Sequence, residues 1–214
     1  MLRLDDLLHH NGWPPARQPN ATLSMNLEEA QTLLNVLLQR VALGKETVYV
    51  EWGSGGSTEL VAYLLLSRRA PGLRAYSIES SGEWMSLMRL RTPLLAEAER
   101  SGGLLFLHGD LGRVGALGFP LRWRPADRAR ALRYVSLAQI PERKIDIVLD
   151  DGRFRLACAL ESLPYLRPSS TLMLHDYDEQ LVDSNTRDGP KRSTYQLMMS
   201  LGFFRCAMCC SVKQ

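Results

Sequence analysis

The chain has 214 residues, 45% apolar and 23% charged, which is the profile of one globular domain built on a single core. Its 26 Lys and Arg against 23 Asp and Glu leave a formal charge of +3, too little to mark a dedicated nucleic-acid or membrane-surface protein. The longest apolar run, Leu60 to Leu66, falls far short of the roughly 18–20 residues that cross a bilayer. The first residues, with Asp5, Asp6, His9 and His10, lack the basic start and apolar stretch of a secretory signal. The expectation is a cytoplasmic protein with no membrane partner and no nucleic-acid partner.

Residues 1–20, with Pro14, Pro15 and Pro19, read as an irregular arm. A helix follows from Asn26, because Leu27, Ala30, Leu33, Leu34, Leu37, Leu38 and Val41 repeat at the spacing of one helical face. Asn26 and Glu29 resemble a capping box, and Gly44 ends the helix. Residues 1–44 are thus an arm and a helix packing on a core that spans 45–214.

Within that core, short β-rich runs alternate with helical stretches. Strands are predicted at Thr47–Trp52, Arg74–Glu79, Leu104–Leu107, Ile145–Asp150 and Thr171–His175. Helices are predicted at Ser57–Arg68, at Glu83–Arg100 with a kink or split at Pro93, around Ala126–Ala138, and at Phe154–Leu163. A last helix at Lys191–Leu201 leads into a strand at Phe203–Val212. Parallel strands need crossover connections, so the alternation predicts an α/β fold: a doubly wound, mostly parallel sheet between helical layers. Cys158, Cys206, Cys209 and Cys210 do not form a disulfide framework. The last three have no second Cys or His pair beside them to complete a zinc site, and they read as small apolar residues of the terminal strand.

The segment Val48-Tyr49-Val50-Glu51-Trp52-Gly53-Ser54-Gly55-Gly56-Ser57-Thr58 is a buried strand running through glycines into a helix. Glycines let the chain turn sharply and let a ligand approach the backbone and the helix N–H groups. A dinucleotide fingerprint wants glycine at its sixth position, where this chain has Thr58. Glu51 would repel a pyrophosphate and suits a cationic ligand.

The motif Glu51-Trp52-Gly53-Ser54-Gly55-Gly56 resembles the first motif of the class I S-adenosylmethionine-dependent methyltransferases, whose sheet is a Rossmann-like sandwich. Glu79, ending the second strand, and Asp110, after the third, match the family's acids for the ribose hydroxyls and the adenine amino group. Gly53 to Glu79 is 26 residues and Glu79 to Asp110 is 31, about one strand–helix unit each. The resemblance implies S-adenosylmethionine held by Glu51, Gly53, Ser54, Gly55, Gly56, Ser57, Glu79, Asp110 and Asp151. Further on, Asp151-Gly152-Arg153-Phe154-Arg155 and His175-Asp176 are similar to a subgroup with DGRxR and H-D motifs that includes glucuronoxylan O-methyltransferase-like proteins. Ser169-Ser170 stands where that family often has two glycines, and the C-terminal strand pair is compressed into one run.

The resemblance implies methylation of an oxygen on a small-molecule or saccharide acceptor. Asp151, His175 and Asp176 end the fourth and fifth strands, where two catalytic roles are open. His175 or Asp151 takes the acceptor's proton, or the three hold a divalent cation such as Mg²⁺ or Mn²⁺. The bland alternatives are a helix cap for Asp150 and Asp151 and a buried backbone partner for His175. Arg153 and Arg155 are candidates for holding a substrate carboxylate bidentately. The run from Arg122 through Trp123 to Arg133 carries five arginines in twelve residues, a lid over an anionic substrate, a modest nucleic-acid patch or an exposed helix. Two other functions compete with the methyltransferase: an NAD(P)-linked oxidoreductase, and a catalytically silent fold retained as a binding protein.

Overall fold

The structure is a computed structural model and describes residues 25, 27–122 and 124–175. Helix α1, Leu27–Val41, buries Ala30, Leu33, Leu34, Leu37 and Val41 and carries Glu28 and Glu29 in its first turn and Arg40 in its last. These charges complement the helix dipole. Gly44, at φ 68°, closes it. Strand β1, Thr47–Trp52, is buried at all six positions. It leads to α2, Gly56–Leu66, then β2, Leu73–Glu79, then α3, Gly82–Arg91, and α4, Pro93–Arg100. The break between α3 and α4 falls at Thr92, because Pro93 sits in the first turn of the second helix, where its missing N–H costs nothing. Strand β3, Leu104–His108, is followed by irregular chain, α5 (Arg128–Val135), β4 (Ile145–Asp150), α6 (Arg155–Ser162) and β5 (Leu166–Leu174).

The five strands are all parallel in the order β3-β2-β1-β4-β5. The expected α/β sandwich is therefore observed. Alternate side chains of β1 serve opposite layers. Tyr49 packs with Leu33, Leu37, Leu60, Met85 and Leu95 on the side of α1 to α4. Val48, Val50 and Trp52 pack with Tyr134, Leu137, Ile140 and Cys158 on the side of α5 and α6. The chain order reverses at β1, between β2 and β4, and the crevice beyond the carboxyl ends of those strands is where such sheets place their ligands. At the opposite edge Asp146, buried at the start of β4, pairs with Arg40 and accepts from the Val48 N–H at 3.0 Å. That contact pins α1 to the two central strands.

Two elements differ from the sequence reading. Strand β5 begins at Leu166, five residues earlier than expected, because Arg167 to Ser170 bulge out between two paired stretches. The register jumps from Ile145↔Leu166 to Ile147↔Thr171. The Ser170 hydroxyl closes the bulge by donating to the Ile145 carbonyl at 2.6 Å and accepting from Arg167 N–H at 2.9 Å. Pro168 is tolerated there because a bulge needs no ladder donor. Helix α5 stops at Val135, with Ser136 extended, because Leu137 and Ile140 turn inward to fill the core. The arm of residues 1–24, the helix at 191–201, the strand at 203–212, and Cys206, Cys209 and Cys210 lie outside the described residues. Among the described residues no helix is long and apolar enough to cross a membrane.

The turns after β1 and β4 touch through glycines. A Cβ on Gly152 would lie 2.2 Å from the Tyr134 hydroxyl and 2.8 Å from Trp52 Cβ. Gly152→Ala is expected to destabilise the protein by about 1–3 kcal/mol through this overpacking. Urea denaturation will measure it, and Gly152→Ala combined with Tyr134→Phe should recover part of the loss.

Candidate functional site

The site is built from the carboxyl ends of β1, β2 and β4. Glu51, the next-to-last residue of β1, is fully buried. Four hydroxyls donate to its carboxylate: Tyr49 and Ser57 to Oε2 at 2.7 and 2.8 Å, Ser77 to Oε1 at 2.7 Å, and Thr58 to Oε1. Burial raises its pKa, and the four hydroxyls oppose that shift. Thr58 also accepts from the Gly55 N–H at 2.9 Å, which anchors the first turn of α2. What Glu51 fixes is the glycine turn itself. Its acceptor positions are filled from within the chain, so a ligand would feel it as a charge beneath the turn.

Gly53 has φ 88°, a conformation that glycine alone adopts without strain. A Cβ there would stand 2.7 Å from the Asp151 carbonyl oxygen. Gly53 N–H donates to the Ile78 carbonyl at 2.9 Å, and Asp151 N–H donates to that of Trp52 at 3.0 Å. The β1 turn is thus bonded on both sides. Ser54 is held at every polar atom. Its N–H donates to Glu79 Oε2 at 3.0 Å, its carbonyl accepts from the Trp84 indole at 2.9 Å, and its hydroxyl lies 2.7 Å from that of Ser77. Gly56 and Ser57 open α2.

Glu79 is buried at the tip of β2. Its Oε1 accepts from the Ser80 hydroxyl at 2.9 Å and the Ser81 N–H at 2.8 Å, and its Oε2 from Ser54. A carboxylate has about four acceptor positions, so one remains on Oε2, and turning the Ser80 hydroxyl would free a second. Asp110, beyond β3 on the same sheet edge, is exposed and accepts from the Gly112 N–H at 2.7 Å. The structure therefore brings Glu51 and Glu79 to the two walls of one turn and leaves Asp110 on the rim.

On the other side stand Asp151 and His175. Asp151 Oδ1 accepts from Arg155 at 3.0 Å and lies 2.9 Å from His175 Nδ1. His175 Nε2 faces Glu29 Oε2 of α1 at 3.3 Å, and Arg155 also donates to the His175 carbonyl at 2.8 Å. Glu29, expected in a helix cap with Asn26, thus reaches across to the end of β5; Asn26 lies outside the described residues. Asp176 lies outside them as well. Among the described residues no group of three His, Cys, Asp or Glu is arranged to hold a metal ion, and the guanidinium on Asp151 makes that carboxylate a poor cation ligand. Arg153 follows a different course from Arg155. Its guanidinium carbon lies over the Phe119 ring, 4.1 Å from the ring centre.

Several of these residues carried no signal in the sequence. Ser77 was open to detection, since parallel register sets it directly beside Glu51. Tyr134 of α5, whose hydroxyl accepts from Arg153 N–H at 3.0 Å, and Phe119 of the irregular chain before it become neighbours of the site only through the fold.

An open parallel sheet in this order, with a glycine turn after its first strand and an acid at the tip of the second, defines a class I methyltransferase-like Rossmann fold. The chain is similar to the crystal structure of a methyltransferase-like protein from Silicibacter pomeroyi DSS-3, with 29% sequence identity, 76% of this chain and 77% of that one covered, and a TM-score of 0.57. No protein-family model and no curated protein matches the chain.

Asp150, the last residue of β4, is buried, and among the described residues no side chain hydrogen-bonds its carboxylate. Burial drives its pKa well above the ordinary 3.8, and the nearby Arg155 charge only partly opposes this. The folded state therefore holds this proton more tightly than the unfolded chain, and stability falls as pH rises from about 4 through the folded-state pKa. Asp150→Asn is expected to raise the melting temperature at pH 7 and to change it little near pH 4. An equal shift at both values would contradict this assignment.

Proposed function

We propose that the protein is an S-adenosylmethionine-dependent methyltransferase acting on a hydroxyl of a small-molecule or saccharide acceptor. The observation that carries this reading is Glu79, a buried carboxylate at the tip of β2 bonded across to Ser54 of the glycine turn at 3.0 Å, with an acceptor position left on Oε2. That geometry suits a pair of ribose hydroxyls beside a turn where Gly53 leaves no room for a side chain. The similarity to a methyltransferase-like protein supports the same class and does not favour the NAD(P)-linked alternative.

Glu51, Gly53, Ser54, Gly55, Gly56, Ser57, Glu79, Asp110 and Asp151 are the residues assigned to the cofactor, with Trp84 beside them. When bound, the cofactor supplies an electrophilic methyl group on a sulfonium. The chain's own part is to hold the reactants in line and exclude water. Glu51 places its negative charge beneath the turn, where a cationic ligand is favoured over an anionic one. Asp151 and His175 are the groups placed to take the proton of an acceptor hydroxyl, Arg155 and Glu29 orienting them, with Asp176 a third candidate. Arg153 is the cation at the acceptor side. The likeness of the Asp151-Gly152-Arg153-Phe154-Arg155 turn to the DGRxR subgroup supports an oxygen acceptor.

Calorimetry with S-adenosylhomocysteine and with NAD tests the assignment. The expected result is binding of the former alone, weakened by at least about tenfold in Glu79→Ala; tight NAD binding without a response to the sulfur ligand would refute it. Asp151 borders the glycine turn through its backbone carbonyl, which alanine keeps, so in Asp151→Ala the affinity for S-adenosylhomocysteine should persist while turnover on a hydroxyl acceptor falls by about 10²–10⁴-fold, the range of a lost proton-transfer group.

A further inference from the structure

The chain between β3 and α5 folds into a small hairpin over the crevice. Val114 and Pro120 pair antiparallel, Leu121 N–H donates to the Arg113 carbonyl at 2.9 Å, and Gly115 N–H to that of Phe119 at 2.8 Å. At its tip Leu117 and Gly118 both take positive φ, 55° and 74°. The tip spans the site. A Cβ on Gly118 would lie 2.5 Å from the Ser80 hydroxyl, next to Glu79, and 3.9 Å from Arg153 Cγ, two residues beyond Asp151. The hairpin therefore forms a wall running from the Glu79 turn to the Asp151 turn.

That wall has two features that leave room for a ligand. Its apolar side chains face outward: Leu117 is 79% exposed, Phe119 56% and Leu121 59%. Beside them Arg153 lies on Phe119 and has no carboxylate partner among the described residues, whereas Arg155 is committed to Asp151 and the His175 carbonyl. A guanidinium held over an aromatic ring has lost part of its rotamer freedom and keeps N–H donors with which it can grip a carboxylate bidentately. The surrounding chain from Arg113 to Arg133 carries six arginines against the single acid Asp127. Such a local excess of one sign draws anions to the mouth of a cleft.

Resting on the methyltransferase reading, we propose that the acceptor is an amphiphilic organic anion. Its carboxylate pairs with Arg153 and its apolar or aromatic body lies on Leu117, Phe119 and Leu121. The two halves of the wall each exclude a simpler ligand. A sugar acid satisfies the guanidinium but leaves the apolar lip wet, and a neutral aromatic covers the lip but leaves the cation unpaired. Phe119 is the residue that joins the two, touching the cation with one face of its ring while the rest of it stays open to a ligand.

The test is calorimetry on the full chain, with and without saturating S-adenosylhomocysteine, using three probes: 4-hydroxybenzoate, its neutral amide, and glucuronate. The expected result is that 4-hydroxybenzoate binds at least about tenfold more tightly than either of the others, about 1.4 kcal/mol. Arg153→Gln should reduce it to the level of the amide, Arg153→Lys should fall between, and Phe119→Ala should weaken it by about tenfold, with the affinity for S-adenosylhomocysteine unchanged in all three. Glucuronate binding as well as 4-hydroxybenzoate, no binding of 4-hydroxybenzoate, or no effect of Arg153→Gln would each overturn the proposal. The cofactor titration is read separately, so failure there with the anion preference intact would strike the methyltransferase reading and leave Arg153 as an anion site.

Discussion

The candidate site depends on one buried carboxylate. Glu51 sits at zero exposure inside the sheet, where an unpaired charge would cost several kcal/mol. It is stable there because four hydroxyls converge on it, from its own strand, from β2, and from the first turn of α2. Each of those hydroxyls would in turn be short of an acceptor without the carboxylate, at about 1–3 kcal/mol apiece. The network is therefore mutually obligatory, and its geometric product is the path of residues 53–58. The turn is shaped by a polar core beneath it and not by glycine flexibility alone.

A second constraint couples the two halves of the sheet. Gly53 and Gly152 allow the turns after β1 and β4 to meet backbone to backbone, and Tyr134 packs on the back of Gly152. Tyr134 also abuts Gly109 after β3 and accepts from the Arg153 N–H. One side chain of α5 thus fixes the ends of β3 and β4 relative to each other. The positive φ of Phe154, at 56°, belongs to the same tight turn and starts α6 abruptly after the DGR sequence.

The central layer of this fold was legible because its signals are local. β1 and β4 occur at the expected residues, since a run of six buried side chains leaves little choice of boundary. The split at Pro93 follows from one ring. The glycine turn was readable from its own residues, and Glu79 was singled out by its likeness to the family's acid at the second strand tip, with which the spacing of one strand–helix unit agrees. What the sequence did not disclose is contact between distant segments. Nothing around Glu29 marks it as a neighbour of His175, 146 residues away, and its position near Asn26 suggested a local cap instead. The same holds for Phe119 beneath Arg153. Distinguishing Arg153 from Arg155 required knowing which one meets Asp151, and only the start of α6 at Arg155 decides that.

The contacts Glu29–His175–Asp151–Arg155 join the first described helix to the last described strand. The Arg155 guanidinium offsets the Asp151 charge, and the imidazole stands between the Asp151 and Glu29 carboxylates. Asp151 is the member shared between the cluster and the glycine turn, because its backbone carbonyl touches Gly53 while its side chain bonds Arg155 and lies beside His175. Movement of α1 on the sheet would therefore displace Glu29 and then the imidazole, before reaching the turn. The Arg40–Asp146 pair at the far end of α1 resists that movement. The helix is fastened at both ends of the sheet, by Arg40 on Asp146 and by Glu29 beside His175.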